Sequence, residues 1–339
     1  MTETRTTARH RYHLATVLVA SSLVGVLIGL AIIATEPIPG LPTPDAVVRV
    51  GLPVVRVLLD MAAVVTVGLC LLPLLVGFER PVLSEPVLSV ARRVAMASSL
   101  VWVATALVAI VLQTAELRPE QDVSLGAVGE YIGTVGAGRA LMFVAVFALL
   151  TFVLSLVAVR VGENMPAELR AAVALFALLP LPVTGHATNW RWHDFTMISM
   201  ELHVMSAAAW TGGLGAVVAL LAANRTLLGY ALPRFSKLAT ICFIVVTATG
   251  LFNGLIELGV NPTRTLWAGL FETSYGILVL LKIACLVGLA GLGAHIRWRL
   301  MPAVIAHKRT AMLGWVAVEL AVMGLAFGFA VILTRAPVS

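Results

Sequence analysis

Residues 138–159 read GRALMFVAVFALLTFVLSLVAV, an almost unbroken apolar stretch whose one charged side chain is Arg139. A helix that crosses the hydrocarbon layer of a bilayer needs about 20 such residues. Nothing in the stretch alternates with the period of two that a membrane β-strand requires. It predicts a transmembrane helix, and eight further runs read the same way: 14–34, 50–77, 94–112, 171–184, 199–223, 238–256, 274–295 and 312–333. The run 171–184 is the shortest and contains Pro180 and Pro182. The chain of 339 residues is 60% hydrophobic and 12% charged, with a mean hydropathy of +1.00. Soluble domains average nearer half apolar and about a quarter charged. The expectation is an all-α polytopic bundle of about nine transmembrane helices, forming one domain over 1–339, since the longest connection (113–137) leaves no room for a soluble domain.

The basic residues give the orientation. Of 23 Lys and Arg, 15 fall in segments 1–13, 78–93, 160–170, 224–237 and 296–311. The alternate segments hold four: Arg118, Arg191, Arg264 and Arg335. Basic residues favour cytoplasmic loops, so this asymmetry predicts a cytoplasmic N-terminus and an outer C-terminus. The protein is expected as a multi-pass component of the bacterial cytoplasmic membrane, in contact with the lipid bilayer. The first run follows Arg5, Arg9 and Arg11, but its core exceeds the roughly 7–15 residues of a secretory signal and is expected to be retained. A pI of about 9.7 arises from charge spread thinly over loops, which does not suit a nucleic-acid partner. The outer segments carry nine carboxylates, Glu36, Asp45, Glu116, Glu120, Asp122, Glu130, Asp194, Glu257 and Glu272, which attract cations to that face. Cys70, Cys242 and Cys285 lie singly in apolar runs and read as small buried hydrophobes.

One stretch concentrates chemistry. Residues 185–203, GHATNWRWHDFTMISMELH, hold three of the seven histidines, His186, His193 and His203, with Met197 and Met200 between them. On a helix starting near Asp194, steps of 100° put His193, Met197, Met200 and His203 along one flank. His186, at the end of the preceding run, could close the site. Imidazole and thioether suit copper, and thioether favours Cu(I). No thiolate is present for a structural zinc site, and the local acids, Asp194 and Glu201, are too few for calcium. Met197 alone reads equally as a packing residue, and His193 as an interfacial one beside Trp190 and Trp192. His203 is different, because a polar ring inside a span is expensive unless paired or functional.

Other polar residues lie within spans. Thr249, Asn253 and Glu257 recur at four-residue steps, as one stripe. Tyr275 and Lys282 share a face of the next span, and Glu319 is the first candidate partner for the lysine. Arg56 and Asp60 are spaced to pair. With Glu201, these residues form a candidate polar pathway or gate, and the two pairs read equally as structural locks. Small residues around Trp210 (Ala207, Ala208, Ala209, Gly212, Gly213, Gly215) and the strip Gly288, Gly291, Gly293 predict close helix packing.

The order GHA (185–187), LHVMSAAAWTGGL (202–214), RFSKLAT…TATG (234–250) and YGILVLLK (275–282) resembles the CopD family of bacterial copper-resistance membrane proteins. The likeness is close over 185–300, which would make the fifth to eighth spans a CopD-like core, and looser before that, through features such as GRALM (138–142). Relatives include membrane halves of copper-uptake proteins and modules fused to a CtaG-like oxidase-assembly domain. The resemblance implies copper handling at the outer face, with His186 and His203 at matching positions. A periplasmic copper chaperone or a CtaG-like protein is an implied partner; neither a CopC-like nor a CtaG-like domain is expected within these residues.

The leading expectation is a copper transporter or copper-delivery protein, binding Cu+ or Cu2+, and not an enzyme. The alternatives are a b-type cytochrome with His186 and His203 as axial haem ligands, and a structural subunit without metal. No nucleophile elbow, phosphate loop or H-E-x-x-H is present.

Overall fold

The structure, a computed structural model, describes residues 2–33, 45–184, 193–259, 265–306, 308 and 311–336. The apolar runs become helices because an unpaired peptide group in lipid costs several kcal/mol, and a helix satisfies its own. Twelve α-helices follow in order: α1 (Thr2–Ile32), α2 (Ala46–Val76), α3 (Pro81–Leu117), α4 (Leu125–Thr134), α5 (Gly136–Val161), α6 (Ala167–Phe176), α7 (His193–Leu221), α8 (Arg225–Gly259), α9 (Leu266–Glu272), α10 (Ser274–His295), α11 (Met301–Ile305) and α12 (Met312–Leu333). No strand occurs among the described residues. Among the described residues, eight helical segments are long and apolar enough to cross a membrane: α1, α2, α3, α5, α7, α8, α10 with its continuation to Ile305, and α12.

The run 171–184, expected as a spanning helix, does not form one. α6 ends at Phe176 after ten residues. Tighter i→i+3 bonds then carry the chain on, from Leu178 to Leu175, Leu181 to Leu178 and Val183 to Pro180, at 3.1–3.2 Å. Pro180 and Pro182 explain the change, since proline has no N–H to donate and its ring collides with the preceding turn.

Helix ends sort into two faces. One, the acidic face, gathers the ends of α1, α3, α4 and α12 with the start of α10. There the Ser274 hydroxyl donates to the Ile32 carbonyl (3.2 Å), Arg118 pairs with Glu130 (2.8 Å) and Arg335 pairs with Glu116. At the opposite, basic face Arg234 donates to the Val76 carbonyl (2.8 Å) and meets Glu79 (3.2 Å), and the Arg80 guanidinium lies 4.2 Å over the Tyr230 ring. Helix α5 runs down to the basic face, yet Val183 lies beside Gly136 at the top of α5. The segment 167–184 therefore traverses the bundle as a short helix plus a tight coil. Among the described residues it runs beside the eight long helices without being one of them.

Helix α7 is central, packed between α2 and α8. A Cβ on Gly212 would overlap the Val64 carbonyl, and one on Gly68 would overlap Gly212, so the two backbones touch. The strip Gly288, Gly291, Gly293 behaves otherwise than expected: a Cβ at any of them would meet no atom within 4 Å. Those glycines leave space on α10 where close packing was predicted. On α2, Arg56 and Asp60 pair one turn apart at 3.4 Å.

Candidate functional site

Helix α7 carries His203 ten residues in from the acidic face, about 15 Å deep at 1.5 Å per residue. Its ring faces α8. The Nδ1 atom stands 3.0 Å from the Thr249 hydroxyl oxygen, and the Cε1 edge lies against Gly250, where an added Cβ would sit 3.3 Å away. The same hydroxyl lies 2.5 Å from the Val245 carbonyl. A threonine has one proton to give. Given to the carbonyl, it leaves the oxygen to accept from Nδ1–H, and the ring is then the tautomer whose Nε2 carries the lone pair. A hydrogen bond of this kind is what orients a metal-binding imidazole. Gly250 keeps the neighbouring surface flat enough for the ring to lie there.

The contact between His203 and Thr249 fixes the antiparallel register of α7 and α8, and one turn nearer the acidic face Ser199 stands level with Asn253. Both are orphans: the Ser199 hydroxyl and both amide atoms of Asn253 are buried without a hydrogen-bond partner among the described residues. An unsatisfied buried polar group costs about 1–3 kcal/mol, and helical register puts these two at one level.

Helix α10 completes the cluster. Lys282, eight residues from its start, lies within electrostatic range of the His203 ring and of Cys285. Tyr275, two turns toward the acidic face, lies within range of Glu257. The stripe Thr249, Asn253, Glu257 thus faces Lys282 and Tyr275 across the gap between α8 and α10.

Several expected members fall elsewhere. Met200 sits one turn above His203 and about 60° round the helix, and Met197 two turns above and about 120° round, so their thioethers spread along the flank that His203 begins, while Glu201 is about 200° round, on the far side. Regular winding of α7 therefore takes Glu201 out of the cluster. Glu319 does not pair with Lys282. It lies about 21 Å below the acidic end of α12, Lys282 only about 12 Å below that of α10, and no ion pair among the described residues joins them. The backbone of His193 opens α7, while its side chain and the whole of His186 lie outside the described residues. Among the described residues no three His, Cys, Asp or Glu side chains gather as a metal cage. Sequence reasoning missed Ser199 and Gly250. The first was legible as the residue one turn before His203; the second carried no signal apart from its neighbour Thr249.

Fold and site define a multi-pass helical membrane protein with an oriented, half-buried imidazole below one face. Comparison with known proteins supplies the family. The family model described as copper resistance protein D matches residues 229–333, and that of the copper resistance protein D-like N-terminal domain matches 45–193. The chain belongs to the CopD family of copper-resistance membrane proteins. It is also similar to the copper transport protein CutJ of Bacillus subtilis (strain 168), 32% identical over 122 residues. That alignment covers 34% of this chain and 21% of the relative, so the match spans about a fifth of the relative's length. No solved structure matches the chain.

Proposed function

We propose that the protein carries copper across the bacterial cytoplasmic membrane, taking it up at the acidic face. The inner segments of the sequence carry 15 Lys and Arg, which supports reading the basic face as the cytoplasmic one. The observation that carries this reading is the His203 ring held through Nδ1 against the Thr249 hydroxyl, which leaves Nε2 for a ligand, with Met200 one turn away on α7. Imidazole and thioether form a soft donor pair that suits copper, and membership of a copper-resistance family supports that cargo.

Carboxylates at the mouth, including Asp194 and Glu257, concentrate cations there. Copper then passes Ser199 and Asn253, whose unpaired atoms replace part of its hydration, and reaches His203. His186 and His193 complete the ligand set from the outer side. Tyr275 and Lys282 line the opposite wall, and the ammonium raises the electrostatic cost of a cation resting beside it, which favours onward movement over tight retention. Arg56 and Asp60 lock α2. The protein is a carrier, not a catalyst, and draws on a periplasmic copper chaperone or serves a CtaG-like assembly protein.

Uptake of copper into proteoliposomes tests this. Wild type is expected to load the vesicles and His203→Ala to lose most of the activity. A His203→Ala variant that transports like wild type overturns the reading, and wild type that binds copper without moving it leaves delivery at the outer face in its place.

A further inference from the structure

We infer that Glu319 is a second, inner station for the copper ion, divided from the His203 site by the Trp210–Phe243 ring pair; the inference rests on the transport reading above. A cavity of about 220 Å³ opens between α7, α8, α10 and α12 in the half of the bundle nearer the basic face. Trp210 lies two turns below His203 and about 20° round α7, and Leu289 two turns below Lys282 on α10. The cavity therefore continues the outer cluster along the same helix faces. Its wall includes both Trp210 and Phe243, which meet edge to face with centroids 5.8 Å apart. Two apolar rings at this level are a barrier to a hydrated ion.

Beyond them the wall carries one carboxylate. Glu319 is 3% exposed, lines the cavity and has no cation or hydrogen-bond donor beside it among the described residues. A lone buried carboxyl in a span is costly and marks an ion pathway. Hydrophobic packing does not need it. Two thioethers, Met301 and Met312, line the same cavity toward the basic face, where Arg297 donates to the Thr240 hydroxyl at 2.6 Å. The donors are thus one carboxylate and two soft sulfurs, ordered from the barrier to the cytoplasmic mouth. The five-residue π-turn Ile296–Leu300 forms part of that mouth, with Ile296 and Arg297 on the wall. Such turns break the regular ladder and recur at functional positions. The small residues Ala290, Gly293 and Ala294 keep the α10 side clear.

The test uses full-length protein in proteoliposomes, with Cu(I) buffered by a weak chelator, and compares wild type, His203→Ala, Glu319→Gln, Glu319→Asp and Phe243→Ala. Equilibrium copper binding and gel filtration are measured beside uptake. Glu319→Gln is expected to keep wild-type affinity at the outer site while uptake falls at least tenfold, Glu319→Asp to retain an intermediate rate, and Phe243→Ala to move copper faster. His203→Ala loses both binding and uptake. If Glu319→Gln takes up copper at the wild-type rate, the inner station is wrong while the outer site stands. If Glu319→Gln loses outer-site affinity with a normal elution profile, the two stations are not separate and the inference fails. Should Glu319→Gln aggregate, Glu319→Asp decides: wild-type uptake overturns the inference and reduced uptake with intact binding supports it. Wild type that binds but never loads the vesicles overturns the transport reading and this inference with it.

Discussion

The His203 ring and the Thr249 hydroxyl stand 3.0 Å apart on neighbouring helices, and that hydroxyl also reaches the Val245 carbonyl. With the threonine proton given to the carbonyl, the imidazole donates through Nδ1. The pairing is therefore an orienting device as well as a bond. Thr249→Val removes the acceptor at nearly constant volume. Loss of such an orienting partner typically lowers metal affinity about 10–100-fold. Copper affinity by chelator competition should fall in that range with helicity unchanged, while Thr249→Ser should retain most of it.

Gly212 and Gly291 give opposite expectations when a side chain is added. At Gly212 an added side chain meets the Val64 backbone of α2, which cannot rotate away. Overpacking of this kind costs about 1–3 kcal/mol or more. Gly212→Val should lower the melting temperature in detergent by several degrees. Gly291→Ala should leave it unchanged or raise it, since the site is open and alanine is the better helix former.

Asn253 and Ser199 separate stability from function. Neither side chain has a buried partner among the described residues. Asn253→Leu removes the penalty of the orphaned amide, so thermal stability should hold or rise. Copper uptake should nevertheless drop severalfold. A variant that is both as stable and as active as wild type would remove these residues from the path.

The absorption spectrum distinguishes copper from haem. Protein purified with copper in the medium should show no Soret band and retain copper by elemental assay, with most of it lost in His203→Ala. A Soret band that disappears in His203→Ala would instead make the ring an axial haem ligand.

Tyr131, on the short helix α4 outside the spans, should titrate late. Burial, assisted by the Glu116 carboxylate, pushes its phenol up to about 12. Its hydroxyl is held by the Gln113 side chain. The folded state keeps the proton that the unfolded chain releases near pH 10, so this contribution is complete below pH 10 and is lost as pH rises toward 12. In an ultraviolet titration Tyr131→Phe should remove one phenol from the late-ionising part of the curve.

Most of the architecture was legible because length and polarity of a run decide whether it crosses a bilayer. The eight long spans needed nothing else. The segment 171–184 misled because its composition satisfies the same rule, while Pro180 and Pro182 withdraw the hydrogen bonds that a spanning helix requires. The site was legible in part. His203, Met200 and the stripe Thr249, Asn253, Glu257 follow from helical period alone. The pairing of Lys282 with Glu319 did not survive because depths counted from opposite faces do not meet at one level, about 12 Å and 21 Å from the acidic ends of α10 and α12. Gly250 and the Trp210–Phe243 barrier depend on how α8 is placed beside α7, which periodicity does not encode.

The short fifth passage has a consequence for how the chain is built in the cell. A ten-residue helix reaches about 15 Å, half of what an insertion machine reads as a span. Left alone it would be released at the water interface, and every later helix would then thread with the wrong polarity. Val183 beside Gly136 and the packing of α6 against α2 and α5 show what receives it instead. The N-terminal helices are the template on which the fifth passage is laid, and correct insertion of the later helices waits on their assembly.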